Sequence, residues 1–303
     1  MTASLALGTY RVRDVVEAAR MAVQAGTPWI DTAPNYADGQ ALHDLGRVLR
    51  EAAPSPPLVA TKTGFFTRSQ GRAALSRGLL TEHDASAGHC LDPSFVGYQV
   101  EEALALLGQV DLMFVHNPER AGRGVDRSAM HWRLREAFTV LEEQVHEGQI
   151  PGYGVATWSG LREGAFSVPE LLALAREAAG SPDHHLIAVQ MPVGLIDDAP
   201  IKQALYGGGP LVQAKGDGLI TFGSAPLHGG ELLDAMTPEL VDLIRPGLSA
   251  GAAGVLAAAS CPALDFVLTS TTNRDHWDDA VKALASPLDP EHLRRVTDEL
   301  ATG

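Results

Sequence analysis

The chain has 303 residues, of which 45% are hydrophobic and 20% charged, and a formal net charge of −14. These proportions are typical of a globular protein, and the negative charge argues against nucleic acid or anionic membranes as partners, since both attract basic surfaces. The two cysteines, Cys90 and Cys261, form no closely spaced metal-binding pair, which favours a reducing compartment. The first residues lack the features of a signal peptide, and no run approaches the roughly 20 apolar residues of a spanning helix. We therefore expect a cytoplasmic protein.

Short apolar runs alternate with amphipathic segments along the chain. The predicted strands are residues 5–7, 29–31, 58–61, 112–115, 153–156, 186–190, 219–222 and 266–269. Helical stretches begin near Val12, Gly39, Pro93, Trp132, Val168, Ala199, Pro238 and His276, and a last helix is expected within residues 287–303. A continuous apolar run suits a strand covered on both faces, and strands that alternate with helices pair in parallel. The pattern predicts an α/β fold, a closed (β/α)8 TIM barrel, as a single domain over residues 1–303. The absence of G-x-G-x-x-G after the first strand disfavours an open dinucleotide-binding sheet.

Residues with acid–base chemistry stand at or just after the C-terminal ends of three predicted strands. They are Asp31 and Tyr36 in WIDTAPNY, Lys62 in LVATKTG and His116 in LMFVHNP. In a barrel of parallel strands these ends converge on one mouth. A free tyrosine has a pKa of about 10 and holds its proton at neutral pH, and a nearby ammonium lowers that pKa by stabilising the phenolate. We predict that Tyr36 donates a proton beside Lys62 and that Asp31 holds Lys62. His116 would orient a substrate carbonyl or share its hydrogen bond with Tyr36.

Five sequence segments in chain order resemble the motifs of the aldo-keto reductase superfamily. They are IDTAPNYADGQALHDLGRVLRE (30–51), VATKTG (59–64), DLMFVHNPE (111–119), VHEGQIPGYGVATWSG (145–160) and SAPLHGGELL (224–233). The resemblance implies a (β/α)8 barrel and the reduction of an aldehyde or ketone on a small metabolite with NADPH, or alternatively NADH. It also implies that Tyr36, Lys62, Asp31 and His116 form the catalytic tetrad.

The same resemblance implies a cofactor site with several departures from the family pattern. The implied cofactor contacts are Gly8, Thr9, Thr157, Gln190, Leu227, Gly229, Ser270, Thr271 and Arg274. Ala156 and Thr157 replace a serine and an asparagine, Ser224 replaces a stacking aromatic ring, and Ala280 replaces another asparagine. Two interpretations fit these changes. One is a reductase with altered cofactor contacts, and the other is a lyase, isomerase or cyclase that uses the tetrad without hydride transfer. A non-catalytic subunit that senses nicotinamide redox state is a third hypothesis, for which the sequence offers no partner surface.

Two segments, residues 65–91 and 117–130, are longer than barrel loops need to be, and long loops at a catalytic mouth often recognise the substrate. The second segment carries Arg120, Arg123 and Arg127, which are candidates to bind a carboxylate or phosphate on the substrate. We predict no metal site, because the pair His184–His185 lacks a carboxylate at metal-ligand spacing. The sequence identifies neither the substrate nor the oligomeric state.

Overall fold

The computed structural model describes residues 3–52, 56–122 and 126–302, and their strands form one closed barrel. The strands are β1 (Ser4–Gly8), β2 (Trp29–Asp31), β3 (Leu58–Thr63), β4 (Leu112–His116), β5 (Tyr153–Ala156), β6 (Leu186–Pro192), β7 (Ile220–Ser224) and β8 (Phe266–Thr269). Each strand pairs in parallel with its neighbours in sequence, and β1 closes the sheet against β8 from Ser4↔Phe266 to Leu7↔Thr269. The predicted (β/α)8 fold and all eight predicted strands are confirmed.

Helices follow every strand and cover the outside of the barrel. They are α1 (Val15–Gln24), α2 (Ala41–Glu51), α3 (Arg68–Ser76), α4 (Glu82–Ala87), α5 (Pro93–Leu107), α6 (Arg127–His146), α7 (Val168–Ala179), α8 (Ala199–Leu205), α9 (Gly209–Gly216), α10 (Glu231–Ala235), α11 (Pro238–Ile244), α12 (Ala250–Ala259), α13 (Arg274–Leu284) and α14 (Pro290–Thr302). Local sequence sets many of the starts, as in α5, where Asp92 accepts a hydrogen bond from Ser94 N and proline occupies the first turn.

Strand residues alternate between two apolar cores. Ala6, Trp29, Ala60, Phe114, Ala188 and Phe222 belong to a cluster in the barrel interior, where Trp29 and Phe114 both meet Phe222 edge-on. Their strand neighbours Leu7, Ile30, Val59, Val115, Val189 and Val267 pack with the helices in a second, larger core. Because successive strand side chains point to opposite faces, the residue two places beyond an interior position also points inward.

The structure differs from the sequence-based prediction mainly in the long connections. Residues 65–91, predicted as a loop, contain α3 and α4, each opened by a capping box from Thr67 or Thr81. Helix α6 begins at Arg127 and not near Trp132, because the Asp126 side chain accepts a hydrogen bond from Ala129 N. The connection from β7 to β8 holds three helices, of which α12 packs on β8.

At the opposite end of the barrel from the mouth, a buried carboxylate joins three elements. Glu142 of α6 accepts hydrogen bonds from Tyr153 Oη (2.8 Å) and His185 N (2.8 Å), and its second oxygen lies 2.6 Å from His185 Nδ1. The sequence analysis paired His185 with His184 and missed this carboxylate, which lies on a distant helix. These hydrogen bonds connect α6 with β5 and with the residue that precedes β6.

No helix among the described residues is long and apolar enough to cross a membrane. Cys90 and Cys261 are both buried and free. Burial raises the pKa of the Cys90 thiol to about 11 and that of Cys261 to about 12, so neither is an activated nucleophile.

Candidate active site

Four polar residues of the strands point into the mouth of the barrel, because side chains along each strand alternate between its inner and outer faces. Asp31 lies two positions after Trp29, Lys62 after Ala60, His116 after Phe114, and Gln190 after Ala188. Each therefore points inward at the C-terminal end of its strand. The sequence predicts that Asp31, Lys62 and His116 converge here with Tyr36, and Gln190 joins them at the same end of the barrel.

Lys62 and Asp31 form an ion pair that is almost fully buried. Lys62 Nζ lies 2.5 Å from Asp31 Oδ1 and donates to the carbonyl oxygen of Thr32 at 2.9 Å, with the Lys62 and Asp31 side chains 1% and 5% exposed. Gln190 Nε2 donates to the second oxygen, Asp31 Oδ2, at 2.9 Å. Burial lowers the pKa of the Lys62 ammonium, and the Asp31 carboxylate acts in the opposite direction. The carboxylate is thus held between an ammonium and an amide, and its orientation is fixed.

Tyr36 lies directly against this pair. Its ring centroid is 5.1 Å from Lys62 Nζ and 6.1 Å from the His116 ring, and Tyr10 from the segment after β1 packs on it at 5.1 Å. Tyr36 opens a short 3-10 helix, and the positive φ angles of Ala37 and Asp38 show that the chain turns sharply just after it. The turn leads the chain from Tyr36 into α2, while the Tyr36 ring lies against Lys62 and His116 at the strand ends.

The pKa of Tyr36 moves opposite to the sequence-based prediction. Burial raises the pKa of the phenol well above its ordinary value, and the Asp31 carboxylate and Tyr10 add to the increase. The sequence predicts that Lys62 lowers this pKa, but burial of the phenol raises it and the Asp31 carboxylate acts in the same direction as burial. The phenol therefore stays protonated over the whole physiological range, which suits a proton donor.

His116 completes the group from β4. Burial lowers its pKa well below the ordinary value, and the positive charges of Lys62, His89 and Arg120 lower it further, so the imidazole is neutral. Nδ1 is buried without a hydrogen-bond partner among the described residues, which leaves Nε2 as the nitrogen able to face a substrate. Phe65 packs edge-on against the His116 ring at 4.8 Å, and His89 Nε2 donates to the His116 carbonyl oxygen at 2.8 Å. The sequence analysis did not single out Phe65 for this contact.

The predicted cofactor residues surround the mouth but serve different local roles. A Cβ on Gly8 would lie 3.3 Å from Ser270 Oγ, so the absent side chain leaves space between β1 and the end of β8. The Thr9 hydroxyl donates to the Asp31 carbonyl oxygen and contacts Thr32 Oγ1, and it therefore braces the backbone of β2. Thr157 Oγ1 accepts a hydrogen bond from Gly160 N at 2.8 Å, which shapes the turn after β5.

The predicted cation at the start of α13 is engaged within its own helix. Arg274 Nε donates to Asp278 Oδ1 at 2.9 Å, and Thr271 Oγ1 accepts a hydrogen bond from Asn273 N. A different cation, Arg11, extends from the segment after β1 to the loop after β7, where a Cβ on Gly229 would lie 2.5 Å from its Nη1. Arg11 was missed, although its position just after a predicted strand end is the same signal that pointed to the tetrad.

The loop after β7, which contains Leu227 and Gly229, is tied to two other loops at the mouth. His228 Nδ1 lies 2.9 Å from Asp197 Oδ2, and the other Asp197 oxygen accepts from Arg162 Nη1 at 3.1 Å. The His228 ring also packs on Trp158 at 5.5 Å. These contacts hold together the loops that follow β5, β6 and β7.

The three arginines of residues 117–130 have different environments. Arg127 binds Glu170 through Nη2 at 2.7 Å, so its charge is already paired, and the position of Arg123 lies outside the described residues. The Arg120 guanidinium lies over the Phe65 ring at 5.1 Å. Only Arg120 is therefore seen to approach the candidate site. No group of His, Cys, Asp and Glu in the described ranges is arranged to hold a metal ion.

The sequence profile of the aldo/keto reductase family matches residues 2–164, which is more than half of the chain and includes Asp31, Tyr36, Lys62 and His116. This chain belongs to the aldo/keto reductase family. The family resemblance inferred from the five sequence segments is thus confirmed.

Similar proteins agree with this membership of the aldo/keto reductase family. Pyridoxal 4-dehydrogenase of Microbacterium luteolum is 25% identical over 232 residues, which cover 69% of this chain and 63% of that protein. The glycerol dehydrogenase of Gluconobacter oxydans is 19% identical with a TM-score of 0.70. The match covers 98% of this chain and 91% of the dehydrogenase. An aldo-keto reductase of Klebsiella pneumoniae, solved in complex with NADPH, is 17% identical with a TM-score of 0.66. The match covers 99% of this chain and 95% of the Klebsiella chain. At these identities the structural likeness establishes the shared fold.

Proposed function

We propose that this protein reduces an aldehyde or ketone on a small metabolite with NADPH, and that Tyr36 is the proton donor. The observation that carries the proposal is the contact of the Tyr36 ring with the buried Lys62–Asp31 pair at the barrel mouth. A phenol whose pKa is raised by burial keeps its proton until a negative charge develops on a bound oxygen. Family membership and the relatives that are dehydrogenases or bind NADPH support the same reaction class.

The residues around the mouth fit a nicotinamide nucleotide. Gln190 uses its amide nitrogen on Asp31 and keeps its oxygen for a ligand, and Thr157 is buried at the end of β5. These two would hold the nicotinamide carboxamide. Leu227, Gly229 and Arg11 would hold the pyrophosphate, and Ser270 would contact the adenosine end of the nucleotide. NADPH, when bound, supplies the hydride, and NADH is the alternative donor.

In the proposed mechanism the protein positions the carbonyl and supplies one proton. His116 Nε2 binds the carbonyl oxygen and orients it toward Tyr36. Tyr36 transfers its phenolic proton to that oxygen as its negative charge develops. Lys62 then lies beside the phenolate and stabilises it until a proton returns from solvent. Asp31 and Gln190 keep the ammonium in position throughout.

Isotope transfer tests the reaction class directly. NADPH that carries deuterium at the transferable position is mixed with a panel of aldehydes, including pyridoxal because of the relative named above. We expect each molecule of the alcohol product to be one mass unit heavier than the alcohol made with unlabelled NADPH. Reduction of a carbonyl without deuterium in the product, or no reduction of any aldehyde or ketone in a broad panel, would contradict the proposal.

A second candidate is a lyase, isomerase or cyclase that uses the same tetrad. It is favoured by Ala156 and Ser224, which offer no amide contact or aromatic ring, and by the pairing of Arg274 with Asp278. Such an enzyme would consume its substrate when no nicotinamide nucleotide is present, whereas the reductase would not. The acidic composition and the two free cysteines fit a cytoplasmic enzyme. We also propose that residues 1–303 form one domain.

A further inference from the structure

A cavity of about 600 Å³ lies beside the barrel mouth, between the segment that follows β3 and the segment that follows β4. Its walls include Arg120, Arg133, Trp132, His83 and His89. Trp132 is 54% exposed, an unusual environment for a tryptophan, and His89 bonds the carbonyl oxygen of His116. The cavity therefore adjoins the candidate active site through His89.

The acidic residues on the cavity walls are engaged elsewhere. Asp92 caps α5 through Ser94, and Asp84 caps α4 through Thr81. The third acid, Glu136, binds its neighbour Arg135 at 2.9 Å. By contrast, no carboxylate in the part of the chain that the structure describes lies within ion-pair distance of Arg120 or Arg133. Arg120 and Arg133 are therefore guanidiniums without a carboxylate partner among the described residues, although Asp84 and Asp92 keep their negative charges on the same walls.

Arg120 is held in place by the residues on either side of it. Glu119 Oε1 accepts hydrogen bonds from Trp158 N and Ser159 N, both at 3.0 Å, and Arg133 Nη1 donates to the Ala121 carbonyl oxygen at 2.8 Å. The Arg120 guanidinium lies over Phe65, the same ring that packs against His116. A guanidinium that is already ordered loses little entropy when it binds an anion.

We propose that Arg120 recognises an anionic group, a carboxylate or a phosphate, at the end of the substrate remote from the reacting carbonyl. The proposal rests on the proposed function and names the class of substrate that this site takes. One ring, Phe65, separates the guanidinium from the imidazole that binds the carbonyl, so a short substrate spans the two. Arg133 adds a second positive charge to the cavity, and a planar guanidinium binds carboxylates and phosphates through two parallel hydrogen bonds.

Matched substrates with and without an anionic end test the proposal. The pairs are succinic semialdehyde with butyraldehyde, and glycolaldehyde phosphate with glycolaldehyde. The parent is expected to prefer the charged member of at least one pair, and the preferred pair identifies the anion. Arg120→Gln should raise KM for that member at least about tenfold, because the neutral amide loses the charge-assisted hydrogen bonds of the guanidinium, with kcat little changed. The matched control is Arg127→Gln, because this arginine comes from the same segment but is bound to Glu170.

Calorimetry with succinate and with inorganic phosphate, which have no carbonyl to reduce, separates this proposal from the proposed function. We expect one of these anions to bind the parent and Arg127→Gln alike and to bind Arg120→Gln at least fivefold more weakly. If the protein reduces no aldehyde but this pattern holds, the anion site stands and the reductase proposal fails. If neither anion binds the parent, or Arg120→Gln binds as the parent does, the anion site is refuted, whatever the activity.

Discussion

The buried ion pair between Lys62 and Asp31 makes Asp31→Asn an informative substitution. The asparagine has almost the same shape but leaves the Lys62 ammonium buried without a negative partner. In the parent, Lys62 and Gln190 donate to different Asp31 oxygens, at 2.5 and 2.9 Å. The single amide oxygen of asparagine can take the place of only one of these two acceptors. Because removing one partner of a buried pair leaves an uncompensated charge, we expect the free energy of unfolding to fall by about 3–5 kcal/mol.

A double variant separates the stability of the pair from its role in catalysis. Asp31→Asn combined with Lys62→Met buries no charge, and we expect it to recover at least half of the stability that Asp31→Asn loses. Both variants should lack reductase activity, because neither holds an ammonium in position beside the phenolate that Tyr36 leaves.

Urea denaturation followed by circular dichroism gives the free energies of unfolding, and steady-state reduction of the best aldehyde gives the activities. A loss of less than about 1 kcal/mol in Asp31→Asn would mean that the pair behaves like an exposed one. A double variant that is no more stable than Asp31→Asn would also contradict the reasoning.

Three further predictions concern pH and charge. Since burial and Asp31 raise the pKa of Tyr36 and burial lowers that of His116, neither group should titrate between pH 6.5 and pH 10. A fall of kcat toward pH 10 is assigned to Lys62, whose pKa burial lowers, whereas a kcat that rises with pH above pH 6.5 would contradict the neutral state of His116. Although burial opposes it, hydrogen bonds from His185 and Tyr153 lower the pKa of Glu142 below its ordinary value, so its charge stabilises the fold above about pH 4.5 and this contribution is lost as pH falls. The difference in unfolding free energy between the parent and Glu142→Gln should therefore shrink as pH falls below 4.5, and a difference that stays the same there would refute it. Arg11→Ala should weaken NADPH binding about tenfold, more at low salt, whereas the exposed Arg13→Ala in the same segment should not; equal effects of the two would remove Arg11 from the cofactor site.

The barrel and the tetrad could be predicted because both follow from local sequence. Short apolar runs such as those around Val59 and Phe114, which alternate with amphipathic segments, are typical of buried parallel strands. The residue that ends such a run stands at the barrel mouth. Helices α3 and α4 could have been predicted too, because the capping boxes that begin at Thr67 and Thr81 are visible in the sequence.

Contacts between distant segments could not be predicted in the same way. The hydrogen bond from Gln190 to Asp31 joins residues 159 positions apart, and the pairing of Arg127 with Glu170 depends on how α6 and α7 pack. The direction of the Tyr36 pKa shift was also wrong from sequence, since it depends on burial and on the Asp31 charge, which only the folded geometry determines.

The reduction rate of Tyr36→Phe, measured beside its affinity for NADPH, tests the central claim most directly. The substitution removes only the hydroxyl and keeps the ring that packs on Lys62 and Tyr10. We predict that kcat falls by about 10²–10⁴-fold, the usual contribution of a general acid, while NADPH affinity stays unchanged. A variant that reduces the aldehyde at a rate close to that of the parent would show that the proton comes from another group.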